Sequence, residues 1–393
     1  MIHSRLLPGL LLAAFPITAS AAGYYLPNQD ALATAKGNAF VATADNASAV
    51  FYNPAGLTQL KGPEAEAGFY SIVLGNQANI GGESYDAKTE FQVAPHVYYA
   101  QPLNEDWSFG FGLNSPFGLG TEWEQDTPFR TVVTEARLAY ISATAALAYQ
   151  ITDQLSIGIS GSANYADLTL EQGLGSSPSP GYLRYEGNDV GYSGSIGLLW
   201  QPCPQHSFGL NYTTKSTFDL DGDVKSNVLA DDSGELDFMA PARAALGYSY
   251  RPSPGWNIET NVEWIDWDSL NTLHLKSDSV NADIPFEWES CFIYEVGVSY
   301  TTPGGYVFAT GYDYNESAQP DANFTPGVSD ADRHWLNIGV GHQSEKQACF
   351  LTYQFGFSDR TVTDSATNGF GENADGEYRA RHHALLLSYT KHF

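Results

Sequence analysis

Three things are scarce in this sequence, and each scarcity excludes something. Cysteine comes first: Cys203, Cys291 and Cys349 are the only three in 393 residues. An odd count at irregular spacing is neither a disulfide framework nor a zinc site, although one pair is left open to oxidation. Cations come second. The 18 Lys and Arg are scattered among 45 Asp and Glu, for a formal net charge of −27. A nucleic-acid partner is excluded on that balance, because phosphate binding needs Lys and Arg. Long apolar runs come third. No segment offers the about 20 consecutive apolar residues that a membrane-crossing helix requires.

What is present has a different character. Gly numbers 38, Tyr 24, Phe 21 and Trp 8, while charged residues make up only 16%. Mean hydropathy is −0.25. Strands that alternate apolar and polar side chains average to such a neutral value, so the figure does not argue against a membrane barrel. The first residues read as a secretory leader. Arg5 supplies the positive start, Leu6 to Thr18 the short apolar core, and Ala19-Ser20-Ala21 the small-residue cleavage site. Residues 1–21 are therefore expected to be a signal peptide, with the mature chain starting near Ala22-Gly23-Tyr24.

Residues 22–61 do not alternate. They are rich in Ala, Gly and Asn, as in Ala31-Leu32-Ala33-Thr34-Ala35-Lys36-Gly37, and read as short helices and turns. From Gly62 onward the period becomes two. Leu155, Ile157, Ile159, Ala163 and Tyr165 share one face, and Ser156, Ser160, Ser162 and Asn164 the other. Phe91-Val93-Val97-Tyr99, Ile258-Thr260-Val262-Trp264 and Leu336-Ile338-Val340 repeat the pattern.

Punctuation separates a barrel from a soluble sandwich. Short turns are expected at 103–106, 152–154, 202–204, 252–255, 303–305 and 344–346, most of them roughly 50 residues apart. Longer acidic or Pro/Gly-rich loops, at 171–189, 219–237, 315–332 and 359–377, lie between them. Short turns at one end and long loops at the other is the asymmetry of outer-membrane barrels. Six short turns imply about 14 strands, an even number that closes the ring and leaves no edge facing lipid. Tyr98, Trp107, Trp256 and Tyr300 lie near strand ends, where they suit an interfacial aromatic girdle or merely strand propensity. The fold class is thus all-β, a transmembrane antiparallel barrel over residues 62–393 in the outer membrane of a Gram-negative bacterium.

The segment Asp45-Asn46-Ala47-Ser48-Ala49-Val50-Phe51-Tyr52-Asn53-Pro54-Ala55-Gly56-Leu57 resembles the N-terminal hatch of the FadL family of outer-membrane transporters. Further similar blocks follow in family order. They include Asn114-Ser115-Pro116-Phe117-Gly118, Gln154-Leu155-Ser156-Ile157-Gly158, Trp264-Ile265-Asp266-Trp267, Gly311-Tyr312-Asp313-Tyr314 and Asp332-Arg333-His334-Trp335-Leu336. The resemblance implies a 14-stranded barrel whose hatch, residues 22–61, plugs the lumen. It also implies uptake of hydrophobic small molecules, long-chain fatty acids by default, with lateral release at a kinked third strand. The final strand, ending Leu387-Ser388-Tyr389-Thr390-Lys391-His392-Phe393, resembles the signal read by the barrel-insertion machinery, apart from Lys391.

Site expectations follow. Asn53, Pro54 and Ala55 are expected to hold the plug and not to bind ligand, since the Asn amide both donates and accepts and Pro fixes the turn. Gly110, Gly112, Pro116 and Gly118 are expected to make the kink, because Pro cannot donate to a strand ladder and Gly marks bends; Pro116 could alternatively just end the strand. The resemblance places pocket cations of fatty-acid members where this chain has Asp167 and Glu289. Glu259 and Glu263 add inward negative charge. Together they repel an anionic head group unless Arg137, Arg243 or Arg333 compensates, whereas a neutral hydrocarbon, an aromatic compound or a protonated acid is not repelled, so a neutral hydrophobic ligand competes with the fatty-acid default. The lipid bilayer and lipopolysaccharide are the expected surroundings.

No catalytic residue, metal or cofactor is expected. No Gly-x-Ser-x-Gly elbow occurs, which argues against a barrel-embedded acyl hydrolase. His382-His383 reads as a polar pair at a strand end. Asp219-x-Asp221-x-Asp223 lacks the Gly and Glu of a calcium loop. A general porin is disfavoured because a plug blocks free diffusion.

Overall fold

The computed structural model describes residues 23–88, 90–177, 179–368 and 371–393. The expected leader, 1–21, lies outside the described residues. The period-two stretches form an antiparallel ring of fourteen strands. The first five are Glu64–Ile80, Glu90–Pro102, an interrupted Trp107–Asn114 and Gly118–Glu122, then Glu135–Thr152 and Leu155–Leu174. The sixth is Gly181–Cys203, the seventh His206–Thr213 with Ser216–Ser226, and the eighth Asp232–Ala240 with Arg243–Tyr250. Trp256–Ile265, Cys291–Thr301, Tyr306–Asn315, Arg333–Gln343, Gln347–Val362 and Gly376–His392 complete the ring. The first and last strands pair from Glu64↔His392 to Asn79↔Glu377, so no barrel edge is left open there.

All six short turns fall where the sequence places them, and they gather at one end of the barrel. Four of them, at 152–154, 202–204, 303–305 and 344–346, line a mouth of about 1250 Å³ together with the end of the N-terminal segment and the last residues of the chain. Near these turns aromatic pairs face outward: Trp107–Tyr149, Trp200–Phe208 and Trp256–Tyr300, with centroids 4.8, 5.3 and 4.8 Å apart. Tyr98 is not one of them. It faces inward and is fully buried, while its neighbour Tyr99 faces out, as strand alternation dictates. At the opposite end the expected loops 171–189 and 219–237 are largely strand. The fifth to eighth strands continue as paired hairpins toward Leu174/Gly181 and Val224/Asp232. Polar residues satisfy a ladder in water as well as in lipid, so composition alone made these segments look like loops. Asp219, Asp221 and Asp223 lie on one exposed face of such a strand, and the described residues contain no metal-ligating cluster. The three cysteines are unpaired.

Residues 24–60 fill the lumen as short helices and turns, almost entirely buried. The helix Ala31–Ala35 is capped by Asp30, whose carboxylate accepts from the Ala33 N–H at 2.6 Å. Gly37 and Asn38, at φ of 64° and 62°, end it. Two further short helices, Ala49–Tyr52 and the 3-10 turn Pro54–Gln59, follow. The wall makes room for this segment with glycine. A Cβ on Gly297 would stand 2.1 Å from the Lys36 carbonyl oxygen, and one on Gly209 would stand 2.2 Å from that of Val41. Gly158, Gly197 and Gly311 meet the backbone or side chains of Ala55, Asn53 and Gly37 as closely. No side chain larger than hydrogen fits at these contacts.

Candidate functional site: plug anchors and a window in the wall

Polar side chains hold the plug where the glycines let it approach. The Asn53 amide donates to the Val41 carbonyl at 2.9 Å and to the wall carbonyl of Leu198 at 3.1 Å. Its oxygen accepts from the Ala55 N–H at 3.2 Å. Pro54 begins the 3-10 turn, where its missing N–H is harmless. Glu259 faces inward and accepts from Lys36 Nζ at 3.0 Å, from the Ala42 N–H at 2.8 Å, and from the backbone and hydroxyl of Thr43. Glu263 accepts from Arg243 and from the Tyr25 hydroxyl, both at 3.1 Å, and Arg243 also donates to that hydroxyl oxygen at 2.8 Å. Burial raises the Tyr25 phenol well above its usual range, against the lowering influence of Arg243, so Tyr25 stays a neutral donor.

The expected acidic pocket is not assembled. Glu259 and Glu263 are inward but neutralised by Lys36 and Arg243. Asp167 is exposed on the outward face of the fifth strand, where it accepts from Tyr165 at 3.3 Å. Two residues apart on a strand means one face, and Tyr165 faces out. Glu289 is exposed in the irregular stretch before the tenth strand. Lys36, Thr43 and Tyr25 escaped notice as partners. The one trace of them in the sequence is Lys36, a solitary cation in a run of small residues.

The third strand breaks at Ser115–Phe117. Asn114 pairs with Ser142 and Gly118 with Ala139, so three residues oppose two, Tyr140 and Ile141. This is a bulge centred on Pro116. Gly110 and Gly112 are not part of it. They sit in regular ladder, paired with Ala146 and Thr144, and give room to Val50, Leu57 and Tyr98. The plug supplies what the broken strand lacks. The Leu26 N–H donates to the Pro116 carbonyl at 2.9 Å, and Gly118 donates to that of Tyr24 at 3.0 Å. The Gln29 amide accepts from the Ser115 N–H at 3.2 Å and donates to its carbonyl at 2.9 Å.

Beside the bulge the wall has a window. The second strand pairs with the third only from Val97↔Leu113 to Pro102↔Ser108. The ladder on that side stops at Val97, short of residues 90–96, and Pro95 within that stretch has no N–H to offer. The gap closes again at the top, where Lys88 donates to the Glu122 carbonyl at 2.8 Å and its ammonium pairs with that carboxylate. The Gln92 amide reaches across to the Gly120 carbonyl at 3.1 Å. A cavity of about 450 Å³ runs through this window, from outward Phe91, Val93 and Ile141 to inward Tyr70, Trp335 and His382.

A closed ring of lipid-facing strands whose own N-terminal segment fills its lumen defines an outer-membrane transport barrel. The chain belongs to the family of outer membrane protein transport proteins described as OMPP1/FadL/TodX, whose profile matches residues 12–393. It is a transport channel for hydrophobic compounds in the Gram-negative outer membrane, not an enzyme. A long-chain fatty acid transport protein of Escherichia coli strain CFT073 is 23% identical over 356 residues, covering 78% of this chain and 80% of that one. The crystal structure of a Pseudomonas aeruginosa FadL homologue superposes with a TM-score of 0.86 at 17% identity, covering 95% of this chain and 100% of the other. The Pseudomonas putida toluene transporter TodX does so at 0.72 and 18%, covering 93% and 98%.

Proposed function

We propose that this channel takes up long-chain fatty acids and releases them sideways into the membrane through the window between the second and third strands. The observation that carries the reading is the window itself. Strand edges without partners are costly in lipid unless something covers them, and here a ligand-sized cavity passes between two such edges. The plug blocks the straight route, so passage through the wall avoids displacing it. In this reading residues 1–21 are the leader, 22–61 the plug and 62–393 the barrel. Asn53, Pro54 and Ala55 anchor the plug, and the last strand addresses the chain to the insertion machinery. Lipopolysaccharide surrounds the outer rim. The charge argument for a neutral hydrocarbon is weakened, because Glu259 and Glu263 are paired with Lys36 and Arg243 and Asp167 lies on the outward face.

The test is deletion of Pro116, which leaves two residues opposing two and lets the ladder run on. Loss of radiolabelled oleate uptake, with the folded barrel retained on unheated gels, is the expected result. Undiminished uptake by that variant overturns the reading.

A further inference from the structure

The cavity that crosses the wall is not uniform, and its inner end carries polar atoms without protein partners: donors on Arg333 and Asn28, the His382 ring nitrogen Nδ1, and the side-chain oxygens of Asn76 and Asn315. Arg333 opens the twelfth strand. Its Nε has no protein partner, and its one hydrogen bond is a long 3.5 Å contact to the Ser329 carbonyl. Arg333 is half-buried with a buried Nε, whereas the more deeply buried cations are engaged: Lys36 with Glu259, Arg243 with Glu263, and Arg130 with the carbonyls of Gly175 and Gly181. Among the described residues Arg333 forms no ion pair. The nearby Asp330 carboxylate is taken up by the N–H groups of Gly23, Ala318 and Gln319. Asp332 turns to the Tyr314 hydroxyl.

Two further groups line the same cavity. His382 is 2% exposed, its ring stacks on Trp335 at 5.8 Å, and its Nδ1 has no partner. Asn28, at the start of the plug, is 5% exposed with an unpartnered Nδ2. The Arg333 guanidinium carbon stands 6.0 Å from the Trp335 ring, so Trp335 bridges the two wall residues. Buried donors without acceptors are costly, and a guanidinium with a free edge matches the two oxygens of a carboxylate. The cavity's outer end is the reverse: Phe91, Val93 and Ile141 are 69%, 52% and 51% exposed and apolar, and the Arg137 guanidinium on that face is already paired with Glu135 at 3.2 Å.

We infer that Arg333, His382 and Asn28 form a head-group subsite for a carboxylate amphiphile, and that the ligand leaves through the window tail first, its head held until last. The inference rests on the window being the exit. Polarity decides the orientation. The donors sit on the lumen side and the apolar lining on the lipid side, so a tail-inward ligand would leave Arg333 facing methylenes and put its charge against lipid.

Two palmitate analogues test this on the purified full-length barrel in detergent, one with a diazirine at the terminal carbons and one beside the carboxyl. The terminal probe is expected to label the stretch around Phe91, Val93 and Ile141, and the carboxyl-proximal probe Trp335 or the Asn28 segment. Reversed or identical labelling overturns the orientation. Arg333→Gln is expected to weaken palmitate binding about 10- to 100-fold, the range for a lost charged hydrogen bond, and to leave methyl palmitate within about 2-fold. Equal loss for acid and ester overturns the subsite while leaving the window untouched. Failure of the window reading looks different, since the Pro116 deletion would then transport both. If Arg333→Gln does not fold, Asn28→Leu replaces it, with the same acid-selective loss expected and the same refuting result.

Discussion

The pair Lys36–Glu259 offers the sharpest test of what keeps the lumen closed. Both side chains are essentially excluded from solvent, and the carboxylate gathers the ammonium together with the N–H groups of Ala42 and Thr43. Removing one charge strands the other, and breaking a buried pair in that way costs about 3–5 kcal/mol. If that cost falls on the plugged state, the population with a displaced plug rises by roughly a hundred- to a few thousand-fold, at 1.4 kcal/mol per decade. Glu259→Gln keeps an acceptor for the two backbone donors while removing the charge. Lys36→Met removes the opposite charge. The double variant buries neither, so it is expected to return to within about 10-fold of the parent, because replacing both members of a buried pair is often near neutral. Single-channel recording in planar bilayers measures the opening frequency of all four proteins. A double variant as open as the worse single would refute the argument that charge pairing is what seats the plug.

Asn53→Ala strands the Val41 and Leu198 carbonyls, at about 1–3 kcal/mol for each buried group left unmet, and should raise opening frequency by at least roughly 30-fold in the same recordings. Unchanged openings together with unchanged uptake would show that the motif does not hold the plug. Asp332 gives a pH dependence. Burial pushes its carboxyl up to about 6, with the Tyr314 hydrogen bond opposing the rise. A raised carboxyl favours the protonated folded form, so its contribution is full below about pH 4 and is lost as pH climbs through about 6. Amide exchange of the 316–332 loop should accelerate over that window in the parent and lose the pH-dependent step in Asp332→Asn, beyond the intrinsic rate of exchange.

The parts of this molecule that were readable in the sequence are the parts with a period. Strand alternation and short turns are local, so fourteen strands and their shared end follow from residues a few positions apart. The plug could be located for the opposite reason, because its residues fail to alternate. Two kinds of feature escaped. Partnership across the lumen is one: Glu259 meets a residue 223 positions away, and no spacing rule connects it to Lys36. The face of a single residue is the other. The family resemblance puts Asp167 at a pocket position, but its separation of two from Tyr165 decides that it points outward. His382-His383 makes the same point more usefully. Read as a pair it suggests a shared role, yet neighbours on a strand diverge: His383 lies outside against Tyr353, and His382 lies inside at the foot of the window. In a barrel wall adjacent residues see different solvents, so a motif of consecutive residues is the wrong unit in which to search for a site. The useful unit is every second residue on two or three neighbouring strands, and by that unit Arg333, Trp335 and His382 belong together although 49 positions separate the first from the last.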